Sequence, residues 1–319
     1  MAGILLILFL IATPSAAEAQ IIPSLDEPIE IAVIPSAPRP GESIVIRVQT
    51  YSGNPGGTTF VWSVDGRVVE QGVGRNMITV TAPGAGSAMT VSVSATEDSA
   101  SRGEASVTIR PASVDILWEA DTSVPPLSGI LPLPNGGSRV IFFAAPHIVR
   151  GGARVSASEL IYTWRVNGSG KPALKGHGAS TFRTAPPAFG SPFLVSVTAE
   201  TREGDIRAEG AVTVQPVEPE IVIYEVAPLL GTRLDRAIGR TYALSGDQAT
   251  FAALPLYMKD RESLGYAWSV NGRPVVEAAP RSITLRKTGE GGGRYTVEFS
   301  LKSATALFER AKESFTLTF

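Results

Sequence analysis

The chain has 319 residues, 44% of them apolar and 18% charged, and a formal net charge of −2. That balance supports packed cores and excludes the basic footprint of a nucleic-acid binder. The absence of cysteine excludes disulfides, thiolate metal sites, a cysteine nucleophile and a lipidated cysteine.

Residues 4–12 form an unbroken apolar run, followed by Thr13-Pro14-Ser15 and then Ala17-Glu18-Ala19. The last triplet fits the small-x-small rule for signal peptidase, so residues 1–19 are predicted to be a signal peptide and Gln20 the mature start. No Lys or Arg precedes the run. The alternative is an uncleaved anchor, but the run is shorter than the roughly 20 residues that span a bilayer.

The mature chain is predicted to form three domains, over residues 20–110, 113–215 and 218–319. In the first, residues 29–34 and 43–50 alternate apolar and polar, with Ile44, Ile46 and Val48 on one face. Then comes Phe60-Val61-Trp62-Ser63-Val64-Asp65-Gly66, whose last two residues signal a two-residue hairpin turn. Strands over 76–81, 89–95 and 105–109 complete the set. In the second domain the predicted strands are 113–118, 139–144, 160–166, 193–199 and 210–214, with Tyr162-Thr163-Trp164-Arg165-Val166-Asn167-Gly168 repeating the phrase. In the third they are 220–224, 249–253, 264–270, 294–301 and 314–319, with Tyr266-Ala267-Trp268-Ser269-Val270-Asn271-Gly272. The tryptophans are 102 and 104 residues apart, a spacing that fits a whole small β domain rather than a solenoid unit. Short proline-bearing joints, Arg110-Pro111-Ala112 and Gln215-Pro216-Val217-Glu218-Pro219, separate the copies.

Trp62, Trp164 and Trp268 each alternate with a valine across one polar residue, which places Trp and Val on the same, core-facing side. They are predicted to be structural core, not a sugar platform. Trp118 opens a connection instead and is the tryptophan expected to be exposed.

Two connections stand out. Trp118-Glu119-Ala120-Asp121-Thr122-Ser123-Val124-Pro125-Pro126-Leu127 follows the first strand of the second domain. Tyr224-Glu225-Val226-Ala227-Pro228-Leu229-Leu230-Gly231 follows the first strand of the third. Each starts with aromatic-Glu and passes through Pro and Leu. Connections of this length without periodicity either cover a sandwich edge or neighbouring domain, or form a partner surface. On the second reading the contact residues are Trp118, Glu119, Pro125, Pro126, Leu127, Tyr224, Glu225, Leu229 and Leu230. The last connection of the third domain, residues 303–312, is rich in helix formers and is predicted to form one or two helical turns. There, Leu307 and Phe308 either fold back or meet a partner.

Catalytic signals are missing. His147 and His177 lie in loops without metal-ligand spacing or a neighbouring nucleophile motif. Glu119 and Glu225 occupy equivalent places in different domains, which argues for a structural role. No catalytic, metal or cofactor residue is predicted. Asn167-Gly168-Ser169 matches a glycosylation sequon but is read as turn chemistry.

The Tyr-x-Trp-x-Val-Asn/Asp-Gly phrase, the following Thr-Val-Ser-Val type strand and the closing Val-Thr-Val strand resemble the PKD and immunoglobulin-like domains of bacterial surface proteins. Residues 115–120 with the following Pro-Pro, and Leu229-Leu230-Gly231, also look like an uncharacterised three-domain secreted family of candidate-phylum bacteria. The resemblance implies an all-β fold of three tandem immunoglobulin-like or PKD-like β-sandwiches. It implies no activity, because that sandwich hosts many roles. The expectation is therefore an exported, non-enzymatic cell-surface or envelope protein, acting in adhesion or surface assembly through contacts with another envelope protein. The alternative is a carbohydrate-binding module array with a glycan partner. Neither nucleic acid nor a small-molecule cofactor is expected.

Overall fold

A computed structural model of the chain describes residues 29–49, 54, 56–97, 100–125, 129–187, 190–259, 264–276, 278–289, 292–304 and 309–319. The predicted signal peptide and Pro126, Leu127, Leu307 and Phe308 lie outside the described residues.

The first seven strands are β1 (Glu30–Ile34), β2 (Ser43–Gln49), β3 (Thr59–Val64), β4 (Arg67–Val73), β5 (Met77–Thr81), β6 (Met89–Glu97) and β7 (Ala100–Ile109). They form two sheets, ordered β1-β2-β5 and β4-β3-β6-β7. Next come β8 (Ser113–Ala120), β9 (Val140–His147), β10 (Val149–Arg150), β11 (Ala153–Arg154), β12 (Ile161–Val166), β13 (Leu174–His177), β14 (Thr181–Thr184), β15 (Phe193–Glu200) and β16 (Arg207–Val214). Their main sheets are β14-β9-β8 and β13-β12-β15-β16. The last group is β17 (Glu220–Ala227), β18 (Gly231–Ala237), β19 (Thr241–Ala243), β20 (Gln248–Leu256), β21 (Leu264–Val270), β22 (Arg273–Pro274), β23 (Ser282–Arg286), β24 (Arg294–Ser303) and β25 (Arg310–Thr318). It builds β18-β17-β20-β23 and β19-β25-β24-β21-β22.

One plan runs through all three groups. A first strand pairs with a second, and the second with a late strand. In the other sheet, the tryptophan strand lies between its hairpin partner and the two closing strands. This is the wiring of an immunoglobulin-like sandwich, and the chain is an all-β array of them. Contacts group the chain into two compact units. One comprises Val45–Val80 and Thr90–Thr108 with the described residues up to Val33; the other comprises Ile34–Ile44, Thr81–Met89 and Ile109–Phe319.

Trp62 and Trp164 are fully buried and Trp268 nearly so. The Trp62 indole N–H donates to the Arg75 carbonyl (2.7 Å) and that of Trp164 to the Ala179 carbonyl (2.8 Å). Both acceptors lie in the connection after the hairpin partner, so the indole fixes that connection as well as filling the core. Trp164 also stacks on Phe182, with centroids 5.5 Å apart. Trp268 packs against Phe299 at 4.6 Å, and its indole nitrogen has no hydrogen-bond partner among the described residues.

The three hairpin corners are alike in detail. Asp65, Asn167 and Asn271 have φ of 48°, 52° and 49°, and each following glycine is left-handed too. Each Asp or Asn side chain then accepts a hydrogen bond from the backbone of a third strand. Thr90 N–H reaches Asp65 at 2.8 Å, Leu194 N–H reaches Asn167 at 2.9 Å and Thr296 N–H reaches Asn271 at 2.8 Å. Asp or Asn is thus selected twice, for tolerance of positive φ and for an acceptor of the right length.

One glycine is set by close approach. A Cβ on Gly210 of β16 would lie 2.5 Å from the Val114 carbonyl oxygen of β8. Gly210→Ala is expected to destabilise the chain by about 1–3 kcal/mol through this backbone overlap. Asn167→Ala is expected to cost about 1–3 kcal/mol from strain and the lost bond, and Asn167→Gly less, because glycine removes only the bond. Urea denaturation of each variant, followed by tryptophan fluorescence, checks the order; equal losses for Asn167→Ala and Asn167→Gly would contradict it.

Candidate functional site

The aromatic-Glu connections do not begin where the sequence suggested. Strand β8 runs on to Ala120, so Val114, Ile116, Trp118 and Ala120 face one way and Asp115, Leu117 and Glu119 the other. Trp118 is half-buried against the second core while Leu117 is 63% exposed, which corrects the expectation of an exposed Trp118. Likewise β17 runs on to Ala227, and Tyr224 is buried, next to the core-facing Ile223 and out of phase with Ile221 and Ile223. Strand alternation accounts for Trp118, whereas Tyr224 is buried outside the core cluster that holds Ile221 and Ile223.

The connection after β8 closes at its base. Asp121 N–H donates to the Arg139 carbonyl (2.9 Å), and Arg139 N–H donates to the Asp121 carboxylate. Beyond that point it reaches the third sandwich. Ser123 N–H donates to the Met258 carbonyl and Tyr257 N–H to the Ser123 carbonyl, both at 2.9 Å. Pro125 is buried, and Leu131 is 76% exposed.

The returning limb makes the tightest contact. Asn135 and Glu309 are each only 1% exposed. The Asn135 side-chain amide donates to Glu309 Oε1 at 3.1 Å and to the Tyr257 carbonyl at 2.6 Å. Its Oδ1 accepts from Gly137 N–H at 2.7 Å. Glu309 Oε1 also accepts from Lys259 N–H at 2.8 Å. Tyr257 holds φ +60°, unusual for a bulky residue, while its N–H and its carbonyl both bond to the second sandwich's connection. The ion pair of Asp121 with Lys259, at 3.9 Å and partly exposed, adds little beside this. None of the residues of this node was singled out from sequence. The signals that could have found it are the Asn135-Gly136 dipeptide inside a long connection and a lone glutamate after Leu307-Phe308.

The connection after β17 is a hairpin. β18 folds back along β17, with Ala227 opposite Gly231 and a register shift between Tyr224 and Val226. Pro228, Leu229 and Leu230 form the tip, and Gly231 at φ +73° starts the return. Leu229 is 97% exposed and Leu230 83%. On the arm, burial first, then a hydrogen bond to Glu225, pushes the Tyr242 hydroxyl up from its ordinary pKa. Glu225 is thereby tied to its own sandwich, whereas Glu119 is exposed on β8.

Strand pairing places these features. In the third sandwich Glu220 lies opposite Leu256, which leads into Tyr257, and Lys302 lies opposite Arg310 beside Glu309. That end carries the β20–β21 and β24–β25 connections. The hairpin tip lies at the other end of β17, about 23 Å away at ~3.3 Å per residue. In the second sandwich Ser113 lies opposite His147 and Ala120 opposite Val140, so the connection after β8 also leaves from the end opposite its β9–β12 and β15–β16 connections.

The two histidines stand apart from this node. His147 lies 3.3 Å from Asp115 and 3.0 Å from Arg154, and His177 3.1 Å from Arg202, all on exposed surface. Among the described residues no group of three or more His, Asp or Glu could hold a metal ion. A groove of about 860 Å³ on the third sandwich is lined by Glu218, Glu220, Lys302, Arg310, Lys312 and Glu313, with opposite charges interleaved. No helix among the described residues is long and apolar enough to cross a membrane.

No protein-family model and no curated protein sequence matches the chain. Similar solved structures include the three N-terminal domains of the bacteriophage RB49 Highly Immunogenic Outer Capsid protein, at 11% identity, with 91% of this chain and 97% of that chain covered and a TM-score of 0.26. The central fibronectin-III array of RIM-binding protein is 14% identical, with 92% and 97% covered and a TM-score of 0.31. The fibronectin(III)-like modules of Clostridium thermocellum CbhA are 11% identical, with 59% and 94% covered and a TM-score of 0.26.

The two polar clusters can be tested separately. Asn135→Ala and Glu309→Ala should each destabilise the chain, and a double-mutant cycle should give a coupling of at least ~0.5 kcal/mol, since each group satisfies the other away from water. Additive losses in chemical denaturation would contradict the contact. At the β15–β16 connection, Asp205 accepts from the Thr201 hydroxyl at 2.7 Å and pairs with Arg150. The Thr201 bond first, then the Arg150 charge, holds its carboxyl below the usual range against some desolvation. A lowered folded-state pKa gives stability that is present above the ordinary carboxylate value and lost as pH falls through the folded one. The Tm gap between wild type and Asp205→Asn should therefore be widest near neutral pH and shrink in acid; a gap that widens in acid would reverse the sign.

Proposed function

We propose that the chain is an exported, non-enzymatic protein of the cell surface or envelope that works through protein–protein contacts, as an adhesion or surface-assembly component. The observation that carries this reading is the Leu229-Leu230 tip, two large apolar side chains left almost wholly in water at the turn of the β17–β18 hairpin. Single exposed leucines are ordinary, but two adjacent ones at a projecting turn suit an anchor that a partner buries. The apolar run and Ala17-Glu18-Ala19 support export. A carbohydrate array would need exposed aromatic platforms, and Trp62, Trp164 and Trp268 are all buried.

Expression of the full chain in a bacterial host with N-terminal sequencing of the exported material tests the first half. The mature chain should begin at Gln20, and retention in the cytosol with Met1 intact would overturn export. Photo-crosslinking from position 229 on intact cells tests the second half. It should join the chain to another polypeptide, and crosslinking that stays unchanged when Leu230 becomes Asp would count against the tip as the contact.

A further inference from the structure

We propose that the cavity where β18 passes into β19 on the third sandwich takes a carboxylate of an acidic polypeptide, held by Arg233 and Arg236. This gives the chemistry of the partner at the contact surface proposed above, and rests on that reading for the ligand being a polypeptide.

A break in pairing makes the cavity. Val226 lies opposite Thr232 but Tyr224 lies opposite Ala237, so the four residues from Arg233 to Arg236 stand against Glu225 alone. A bulge this large gives up ladder bonds, and its effect is to re-aim side chains. It brings Arg233 and Arg236 to the wall of a cavity of about 280 Å³, which Glu225, Ile238, Thr241 and Tyr242 also line. That is room for one side chain and its hydration rather than for a drug-sized molecule.

Charge decides what enters. Glu225 is already engaged by the Tyr242 hydroxyl. Arg233 donates to Asp235 at 3.2 Å, which occupies one of its nitrogens. The Arg236 side chain has no hydrogen bond or ion pair among the described residues and acts on Asp235 only through space. From Glu225 to Ala243 the chain carries three arginines, Arg233, Arg236 and Arg240, against two carboxylates, Glu225 and Asp235. One carboxylate balances that excess, and a doubly charged phosphate would overshoot it. A guanidinium also offers the planar pair of donors that a carboxylate accepts. The cavity is near the tip. Glu225 lies two residues along β17 from Ala227, which faces Gly231, a span of about 7 Å at ~3.3 Å per residue. A polypeptide that covers Leu229 and Leu230 can therefore reach the cavity with an acidic side chain.

The test follows the arginine Nε–H signals of the full mature chain by NMR at an ionic strength of about 0.15 M. The probes are the peptide acetyl-Gly-Glu-Gly-amide, its Gln counterpart and inorganic phosphate. The Glu peptide should shift the Arg233 and Arg236 signals saturably, and the Gln peptide and phosphate should not at the same concentrations. Arg236→Gln, a change at an exposed position, should weaken binding about tenfold or more, read from Arg233. Arg236→Lys should weaken it too, because it keeps the charge and loses the fork. No saturable shift, equal binding of phosphate or the Gln peptide, or wild-type affinity in Arg236→Lys would overturn the proposal. Crosslinking from position 229 on cells separates this from the reading above. If the crosslink forms while the Glu peptide does not bind, the carboxylate site falls and the contact surface stands. If the Glu peptide binds and no crosslink forms, the contact surface falls and takes the polypeptide ligand with it.

Discussion

A carboxylate buried to 1% exposure is expensive unless its oxygens are met by donors, and the Glu309 side chain is met by the Asn135 amide and the Lys259 backbone N–H. That requirement reaches well beyond the three residues. Asn135 must be held by its own turn, where its Oδ1 accepts from Gly137 and its carbonyl from Ser138. Tyr257 must sit in the left-handed region so that its carbonyl faces Asn135 and its N–H faces Ser123. The limbs on either side of these residues then have little freedom. The connection after β8, closed by reciprocal bonds between Asp121 and Arg139 at its base, is tied to the third sandwich at Ser123 and Asn135. A hydrophobic joint of the same area would slide with little cost; a satisfied polar node resists a shift, since even a small displacement strands a buried donor or acceptor.

How much of this was legible in the sequence depends on how local each cause is. The hairpin corners were readable because φ > 0 at two adjacent residues is a local demand, and Asp-Gly and Asn-Gly answer it. Their second role, accepting from Thr90, Leu194 and Thr296, was not, because the donor lies 25 or 27 residues away. A still longer separation hides Gly210, whose missing side chain is required by Val114 on another strand. Trp118 and Tyr224 were misplaced for a different reason. The alternation of β8 continues through Trp118 and strand β17 continues past Tyr224, but the neighbouring glutamates suggested that the strands had ended. Glu119 is an outward member of the β8 alternation, while Glu225 is half-covered and in phase with Ile221 and Ile223.

The node of Asn135 and Glu309 spans 174 residues, and neither residue is unusual in its own stretch. It became visible only once pairing had set which ends of the sandwiches carry which connections. An immunoglobulin-like sandwich forces this division. Successive antiparallel strands place alternate connections at opposite ends, so the connection after the first strand and the one after the second cannot share an end.

That division also bears on why the hairpin of the third sandwich would bind by its tip and not along its side. β18 is an edge strand, and an unprotected edge invites pairing with any extended chain. Here the edge carries Arg233, Asp235 and Arg236, all exposed, with Arg233 and Asp235 paired at 3.2 Å. Charges along an edge discourage a second strand from docking. The β4 edge of the first sandwich exposes Val68, Val69 and Val73, but a register shift beside Trp62, together with Arg67 and Glu70, interrupts it. Lateral association is thus opposed on both strands by charge, and on β4 also by a break in register. The apolar exposure that remains on the hairpin is concentrated at Leu229 and Leu230, where the backbone has already turned and presents side chains instead of a ladder. A contact made there can be specific without recruiting the sheet edge, which separates a contact at the tip from aggregation through open edges.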